Sequence, residues 1–175
     1  KTLLVMGGSQ GAHGINKALA NALPKLADKP LQVVHLTGRT DEEMMRESYR
    51  RMGIPAHVAA FHHRMEEAYS AADLAIARSG AASLTELSHF ALPSVLIQFP
   101  FAADDHQTFN AEIFARAGAA TLLPERETTG ESLASKLSWF LDDPARLSEM
   151  SARSASLAPQ QAAERVVETM LQFCV

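Results

Sequence analysis

Short, mostly apolar runs alternate with segments of helical periodicity along the chain, and no other feature restricts the fold as much. Thr2–Met6, Leu31–Leu36, His57–Phe61, Leu74–Ala77, Ser94–Ile97 and Ala119–Leu123 read as six strands. Between them, apolar residues recur at helical spacing over Ile15–Leu26, Asp41–Met52 (closed by Gly53), Met65–Ala72, Leu84–Phe90 and about His106 to Ala117. Strands that lack polar alternation are buried on both faces, and a helix after each one implies a parallel sheet with helices on either side. The expectation is a doubly wound α/β domain. Everything beyond the sixth strand reads as helix, over Glu131–Leu141, Ala145–Leu157 and Gln160–Phe173, which gives a helical C-terminal tail.

Composition removes several function classes. With 16 basic against 20 acidic residues and a formal charge of −4, the chain lacks the basic surface that phosphate neutralisation demands, so nucleic acid is not an expected partner. A single cysteine, Cys174, allows no internal disulfide and suits a reducing cytoplasm. No apolar run approaches the ~20 residues of a membrane span, and no signal-peptide pattern is present. Lys1 leads straight into an apolar strand, which reads as a cut from a longer protein.

In a doubly wound sheet, ligands bind at the carboxyl ends of the strands, near the point where the strand order reverses. The polar and glycine-rich segments fall at those ends. Gly7-Gly8-Ser9-Gln10-Gly11-Ala12 follows the first strand and opens the first helix. Glycines admit a ligand close to the backbone, and free N–H groups at a helix start favour an anion. A pyrophosphate suits this turn, with the Ser9 hydroxyl as a further donor; a bare strand-to-helix turn is the alternative. The dinucleotide spacing G-x-G-x-x-G is absent, and no acid ends the second strand, where Leu36 gives way to Thr37-Gly38-Arg39. No Gly-Lys-Ser/Thr follows either, so this is not a P-loop. A nicotinamide oxidoreductase is thereby disfavoured.

Arg78-Ser79-Gly80-Ala81-Ala82-Ser83-Leu84-Thr85-Glu86 forms a second small, polar turn into a helix. Two helix starts aimed at one cleft place their partial positive charges on the same diphosphate. Glu86 carries two readings at this stage: a ligand for both hydroxyls of a ribose, or the far end of a Ser83-x-x-Glu86 capping box. Phe61-His62-His63-Arg64-Met65 follows the third strand, where an aromatic ring beside free backbone groups can stack on a base and read its edge. The alternative makes Phe61 core and the histidines surface. Adjacent histidines on extended chain point to opposite sides, so a shared metal ion is not expected. Before the fifth helix, His106 and Gln107 can contact sugar hydroxyls, while Asp104 and Asp105 read as caps complementing the helix dipole.

Taken together and in this order, these segments resemble the C-terminal, donor-binding domain of glycosyltransferase family 28, in particular the members that build peptidoglycan. The resemblance rests on Gly7-Gly8-Ser9-Gln10-Gly11-Ala12, Phe61 with Met65, Arg78-Ser79-Gly80-Ala81 through Glu86, and Asp105-His106-Gln107 with Asn110. Asp142-Asp143-Pro144-Ala145-Arg146-Leu147 and Ala163-Glu164-Arg165-Val166 extend it over essentially the whole chain. It implies one Rossmann-like half of a two-domain GT-B enzyme that takes N-acetylglucosamine from its UDP carrier. Residue by residue, Ser9, Gln10 and the backbone around Gly11 would hold diphosphate. Phe61 would lie by the uracil, the His62 backbone would read its edge, and Met65 would cap the pocket. Arg78, Ser79, Gly80, Ala81, Ala82 and Ser83 would meet phosphates and sugar, Glu86 the ribose diol, and His106 and Gln107 the hydroxyls of N-acetylglucosamine.

The same resemblance implies an inverting transfer without metal or other cofactor, with the departing UDP stabilised by helix starts and neutral donors. The lipid-linked muramyl-peptide acceptor, the general base and the membrane contact would all belong to a second, N-terminal domain. The full-length enzyme would sit on the inner face of the plasma membrane, and this chain alone would bind donor without turning over acceptor. Three other readings stay open: the donor domain of a UDP-sugar:diacylglycerol glycosyltransferase, a non-catalytic UDP-sugar-binding subunit working with a separate acceptor chain, and a hydrolysing or epimerising enzyme of the same architecture. The last needs extra acids in the cleft that the sequence does not show.

Overall fold

The computed structural model describes residues 1–8, 11–98 and 106–173, without the side chains of 106 and 107. Its elements run β1 (Thr2–Met6), α1 (His13–Ala22), β2 (Gln32–Leu36), α2 (Glu42–Met52), β3 (Ala56–Ala59), α3 (Met65–Ala71), β4 (Leu74–Ala77), α4 (Ala81–His89), β5 (Ser94–Gln98), α5 (His106–Arg116), β6 (Ala120–Pro124), α6 (Gly130–Leu141), α7 (Pro144–Ser156) and α8 (Ala162–Gln172). All five strand pairings are parallel, in the order β3-β2-β1-β4-β5-β6. The chain winds outward from β1 to β3, returns to set β4 beside β1, and winds the other way to β6. β1 and β4 therefore flank the reversal, paired Leu3 with Leu74 and Val5 with Ile76.

Alternate residues of the strands feed two separate cores. Leu3, Val5, Val33, Ile76, Val95 and Ile97 face α1, α2 and the helical tail, through Ile15, Leu19, Met45, Tyr49, Leu133, Leu137 and Phe140. Leu4, Met6, Leu36, Ala75, Ala77 and Leu96 face α3, α4 and α5, through Ala68, Tyr69, Leu84, Leu87 and Phe114. This two-sided burial is why the strands read as apolar throughout. In the tail, α6 begins at a Thr129–Ser132 capping box and α7 at Asp143, whose carboxylate accepts from the backbone of Ala145 and Arg146. No residue of α8 is buried, and Val166, Val167, Met170 and Leu171 all stand exposed.

Several helix boundaries differ from the periodicity, and the starts of α1 and α4 matter for the site. α1 starts at His13 rather than Ile15 and gives way at Leu23–Lys25 to a tighter turn, because Pro24 has no N–H to continue the ladder. α4 starts at Ala81 rather than Leu84. Leu84 is only the first buried residue; the exposed Ala81 and Ala82 before it carry no apolar signal. β3 ends at Ala59, two residues short of the expected Phe61.

A buried polar network lies under the ends of β1 and β2. His35 is fully enclosed, with Nδ1 2.9 Å from the Tyr49 hydroxyl and Nε2 3.0 Å from Asn16 Oδ1. Asn16 Nδ2 donates to the Thr37 carbonyl (2.9 Å) and to Asp41 Oδ2 (2.8 Å). Burial drives the His35 pKa from 6.5 down to about 3, with the Asp41 charge pulling the other way, so the ring is neutral in the fold. Nε2 then donates to Asn16 and Nδ1 accepts from Tyr49. The unfolded chain takes up this proton near pH 6.5 and the folded chain only near pH 3. The contribution is complete above pH 6.5 and is lost as pH falls below it, with a slope of up to ~1.4 kcal/mol per pH unit. Urea unfolding between pH 6.5 and pH 5, above most carboxylate titration, is expected to show this slope in the wild type and a shallower one in His35→Gln. Parallel pH profiles for the two proteins would refute the assignment.

Candidate functional site

The loop after β1 is shaped by glycine conformations and by the strand beside it. Gly8 (φ +86°) and Gly11 (φ +77°) lie in the left-handed region, and the Gly11 N–H donates to the Gly8 carbonyl over 3.0 Å. A Cβ on Gly11 would sit 2.2 Å from the Thr37 carbonyl oxygen, so the loop is pressed onto the end of β2. Ala12 then caps α1 with no side-chain hydrogen bond, which leaves the first-turn N–H groups of α1 without that partner. On this first turn, His13 is exposed, with Nδ1 3.0 Å from Asp41 Oδ1. Ser9 and Gln10, both expected donors to an anion, fall outside the described residues.

After β4 the chain turns through Arg78, Ser79 and Gly80. Ser79 is fully buried, and its hydroxyl has no partner among the described residues. Arg78 directs Nη1 to the Ile97 carbonyl (3.2 Å) and Nη2 to Glu125 Oε1 (3.0 Å). The cap of α4 is Gly80, again without a side-chain bond. This geometry overturns the capping-box reading of Ser83 and Glu86. Ser83 is the third residue of the helix rather than its cap, so no Ser83–Glu86 box can form at the helix start. Glu86 instead accepts a 2.6 Å hydrogen bond from the Tyr69 hydroxyl, which also lies 3.4 Å from Met6 Sδ. Burial, and after it the Glu86 bond and charge, push the Tyr69 pKa above its ordinary value. The hydroxyl therefore stays protonated and is the donor. Its ring is stacked on Phe90 at 5.2 Å.

These pieces line one cleft of about 150 Å³, formed by Met6, Gly8, Leu36, Ala60, Phe61, Met65, Tyr69, Ser83 and Glu86. Four of the sequence-derived candidates thus meet: Phe61, Met65, Ser83 and Glu86. Phe61 is 51% exposed, which excludes the core reading, and its ring meets His63 edge-on at 5.1 Å. His62 turns to Glu67 (3.2 Å), so the two histidines serve different partners. Ala81 and Ala82 are exposed on the first turn of α4. His106 and Gln107 open α5, with side chains outside the described set, as are Asp104 and Asp105 altogether. A larger depression, about 250 Å³, runs between α4 and α5 past Leu84, Ile113 and Leu157, but its lining carries no charged side chain. Tyr69 and Met6 were not expected at the site. The signal for Tyr69 was available, since it lies four residues after Met65 and therefore on the same face of α3.

A glycine turn and a carboxylate-bearing helix thus meet at the reversal of a doubly wound parallel sheet, the crevice where proteins of this architecture bind their ligands. The Glycosyltransferase family 28 C-terminal domain matches residues 2–166, and the chain belongs to this family. It is 44% identical over 172 residues to the UDP-N-acetylglucosamine–N-acetylmuramyl-(pentapeptide) pyrophosphoryl-undecaprenol N-acetylglucosamine transferase of Syntrophus aciditrophicus, covering 97% of this chain and 48% of that protein. The enzyme of the same name from Methylococcus capsulatus is 42% identical over 170 residues, with 97% and 48% covered. The crystal structure of Acinetobacter baumannii MurG matches with a TM-score of 0.88 at 31% identity, over 98% of this chain and 52% of that one. The chain thus spans about half the length of these relatives. The expected family and the expected six-stranded, doubly wound fold both hold.

The close contact at Gly11 yields a direct test. Gly11→Ala adds a methyl group against the Thr37 carbonyl at a positive φ and is expected to destabilise the fold by about 1–3 kcal/mol. Chemical denaturation measures this, and an unchanged midpoint would mean that the loop does not rest on β2.

Proposed function

We propose that this chain is the donor-binding domain of an enzyme that transfers N-acetylglucosamine from UDP to a lipid-linked muramyl-peptide acceptor in peptidoglycan synthesis. The observation that carries the reading is the placement of Glu86. Its carboxylate lies on the cleft at the β1/β4 reversal, with Phe61 and Met65 also lining the pocket and the glycine loop reaching the same space. Since Gly80 caps α4, Glu86 is not needed at the helix start. One hydrogen bond from Tyr69 orients it and leaves acceptor capacity for a ribose diol.

A cleft of about 150 Å³ is smaller than the ~300–1,000 Å³ usual for a whole ligand, so it suits the base and ribose alone. On this reading the uracil lies against Phe61 and Met65, with the backbone of His62 at its edge. The diphosphate extends over the starts of α1 and α4, where Ser9, Gln10, the backbone around Gly11 and the turn from Arg78 through Ser83 supply donors. His106 and Gln107, opening α5, reach the sugar. The acceptor hydroxyl attacks the anomeric carbon on the face opposite UDP; the new glycosidic bond forms as the bond to the β-phosphate oxygen breaks. Charge accumulates on that phosphate, where uncapped helix starts stabilise it without reorganising.

The acceptor site, the general base and the membrane contact belong to a further domain in this proposal, which places the complete enzyme at the cytoplasmic face of the membrane. The half-length match to the relatives and the uncovered apolar residues of α8 support such a domain. Among the described residues, no helix is long and apolar enough to cross a membrane. Calorimetry of this chain with UDP-N-acetylglucosamine and UDP-glucose is expected to show uridine-dependent binding without turnover of lipid acceptor. An absence of uridine-dependent heat at millimolar ligand would defeat the proposal. Glu86→Gln keeps an acceptor for Tyr69 but loses the charge, and should weaken UDP binding by about 1–3 kcal/mol. Equal affinity in the folded variant would remove Glu86 from the ribose.

A further inference from the structure

We infer that Glu125 is a positioning residue for the donor site, fixing the starts of α1 and α4 relative to one another from the end of β6. The inference rests on the donor-binding reading above. Glu125 directly follows β6, two strands away from β4, yet its side chain crosses the carboxyl edge of the sheet. Oε1 accepts from Arg78 Nη2 at 3.0 Å, and Arg78 Nη1 is held at the same time by the Ile97 carbonyl at the end of β5. Arg78 is the first residue after β4 and lies two positions before the cap of α4, so fixing its guanidinium at two points restrains the chain entering that helix.

The same carboxylate touches α1. Gly14 is the second residue of α1, and a Cβ built on it would lie 1.9 Å from Glu125 Oε1 and 3.0 Å from Cδ. Gly14 therefore leaves the space that the carboxylate fills, although its backbone has no need of a positive φ. The carboxylate after β6 thus bonds the residue after β4, which is itself tied to the end of β5, and packs against the first turn of α1, so it meets the start of one helix and the entry to the other. The two side chains are only 16% and 20% exposed, so the pair is shielded from solvent. Glu125 Oε2 is buried with no hydrogen-bond partner among the described residues. Holding a carboxylate in that state is unfavourable, and a purely structural contact could be made by an apolar side chain without that cost. A carboxylate bonded to Arg78 and packed against Gly14 can instead fix the separation of two helix starts, to which a diphosphate placed between them is sensitive.

The test compares UDP affinity, by calorimetry, with unfolding midpoint for this chain and its variants. Glu125→Ala is expected to weaken UDP binding roughly tenfold in protein that remains folded, with Glu125→Gln, which keeps the shape and an acceptor for Arg78, recovering most of that loss. Gly14→Ala should displace the carboxylate from the other side and weaken UDP comparably, and it should add little in the Glu125→Ala background, where the space is open. If Glu125→Ala does not fold, Gly14→Ala and Glu125→Gln still decide: unchanged UDP affinity in folded Gly14→Ala overturns the inference. So does a folded Glu125→Ala that binds UDP as well as the wild type, or more tightly, the latter being expected if the carboxylate only neutralised Arg78. A wild-type chain that binds no uridine nucleotide overturns the donor-binding reading itself and this inference with it.

Discussion

A parallel sheet covered on both faces leaves its carboxyl edge as the place where glycines, helix starts and charges can meet a ligand. Every feature of the site follows from that constraint. The strands must be apolar to fill two cores, so polar chemistry is expelled into the turns that follow them. Reversal of the winding between β1 and β4 then sends α1 and α4 to opposite faces of the sheet, with Ile15 and Leu19 in one core and Leu84 and Leu87 in the other. Between those two departures a crevice opens, and neither helix can close it without abandoning its own core.

The floor of that crevice is set by groups beneath the glycine loop. The Thr37 carbonyl supports Gly11 from below and is itself held by Asn16, which is held by His35, which is held in turn by Tyr49. This network is buried, and its only formal charge among these partners is Asp41, satisfied by Asn16 and by the exposed His13. A neutral His35 is what lets the chain of donors and acceptors close. Protonation of the ring would place a positive charge in this enclosed site and force the Tyr49 hydroxyl to turn from donor to acceptor. The glycine loop thus rests on a carbonyl whose partner, Asn16, is bonded in turn to the neutral ring of His35.

How far such a site can be read before the fold is known varies with the range of the interaction. The strands were legible because burial on both faces writes itself as unbroken apolar runs. Helix starts were less so: Ala81 and Ala82 are exposed and Gly80 makes no side-chain cap, so the apolar pattern begins only at Leu84. That three-residue error is what made Ser83 look like a cap and Glu86 look like its partner. Tyr69 lay within reach of helical spacing from Met65, since both lie on α3. The pair of Arg78 with Glu125 did not. Those residues are 47 apart, and their meeting depends on β4, β5 and β6 being neighbours, which no local pattern encodes. The individual ligand roles came from family resemblance, which draws on the co-occurrence of weak motifs rather than on any one of them.

On the proposed reading, the arrangement also fixes which way round a nucleoside diphosphate must lie. Glu86 is the sixth residue of α4, about 7.5 Å along the axis from Ala81 at ~1.5 Å per residue. The positive end of the helix dipole is concentrated on the first turn, so it acts at Ala81 and Ala82 and has faded by Glu86. A diphosphate near Glu86 would meet a carboxylate, while a ribose there would meet an acceptor matched to its two hydroxyls. Turned the other way, the uracil would leave Phe61 and Met65 and lie over bare helix starts, whose N–H groups favour an anion over a neutral base. Repulsion at one end of α4 and attraction at the other thus select a single orientation, with the scissile bond carried away from the base pocket toward α5 and open to an attacking hydroxyl.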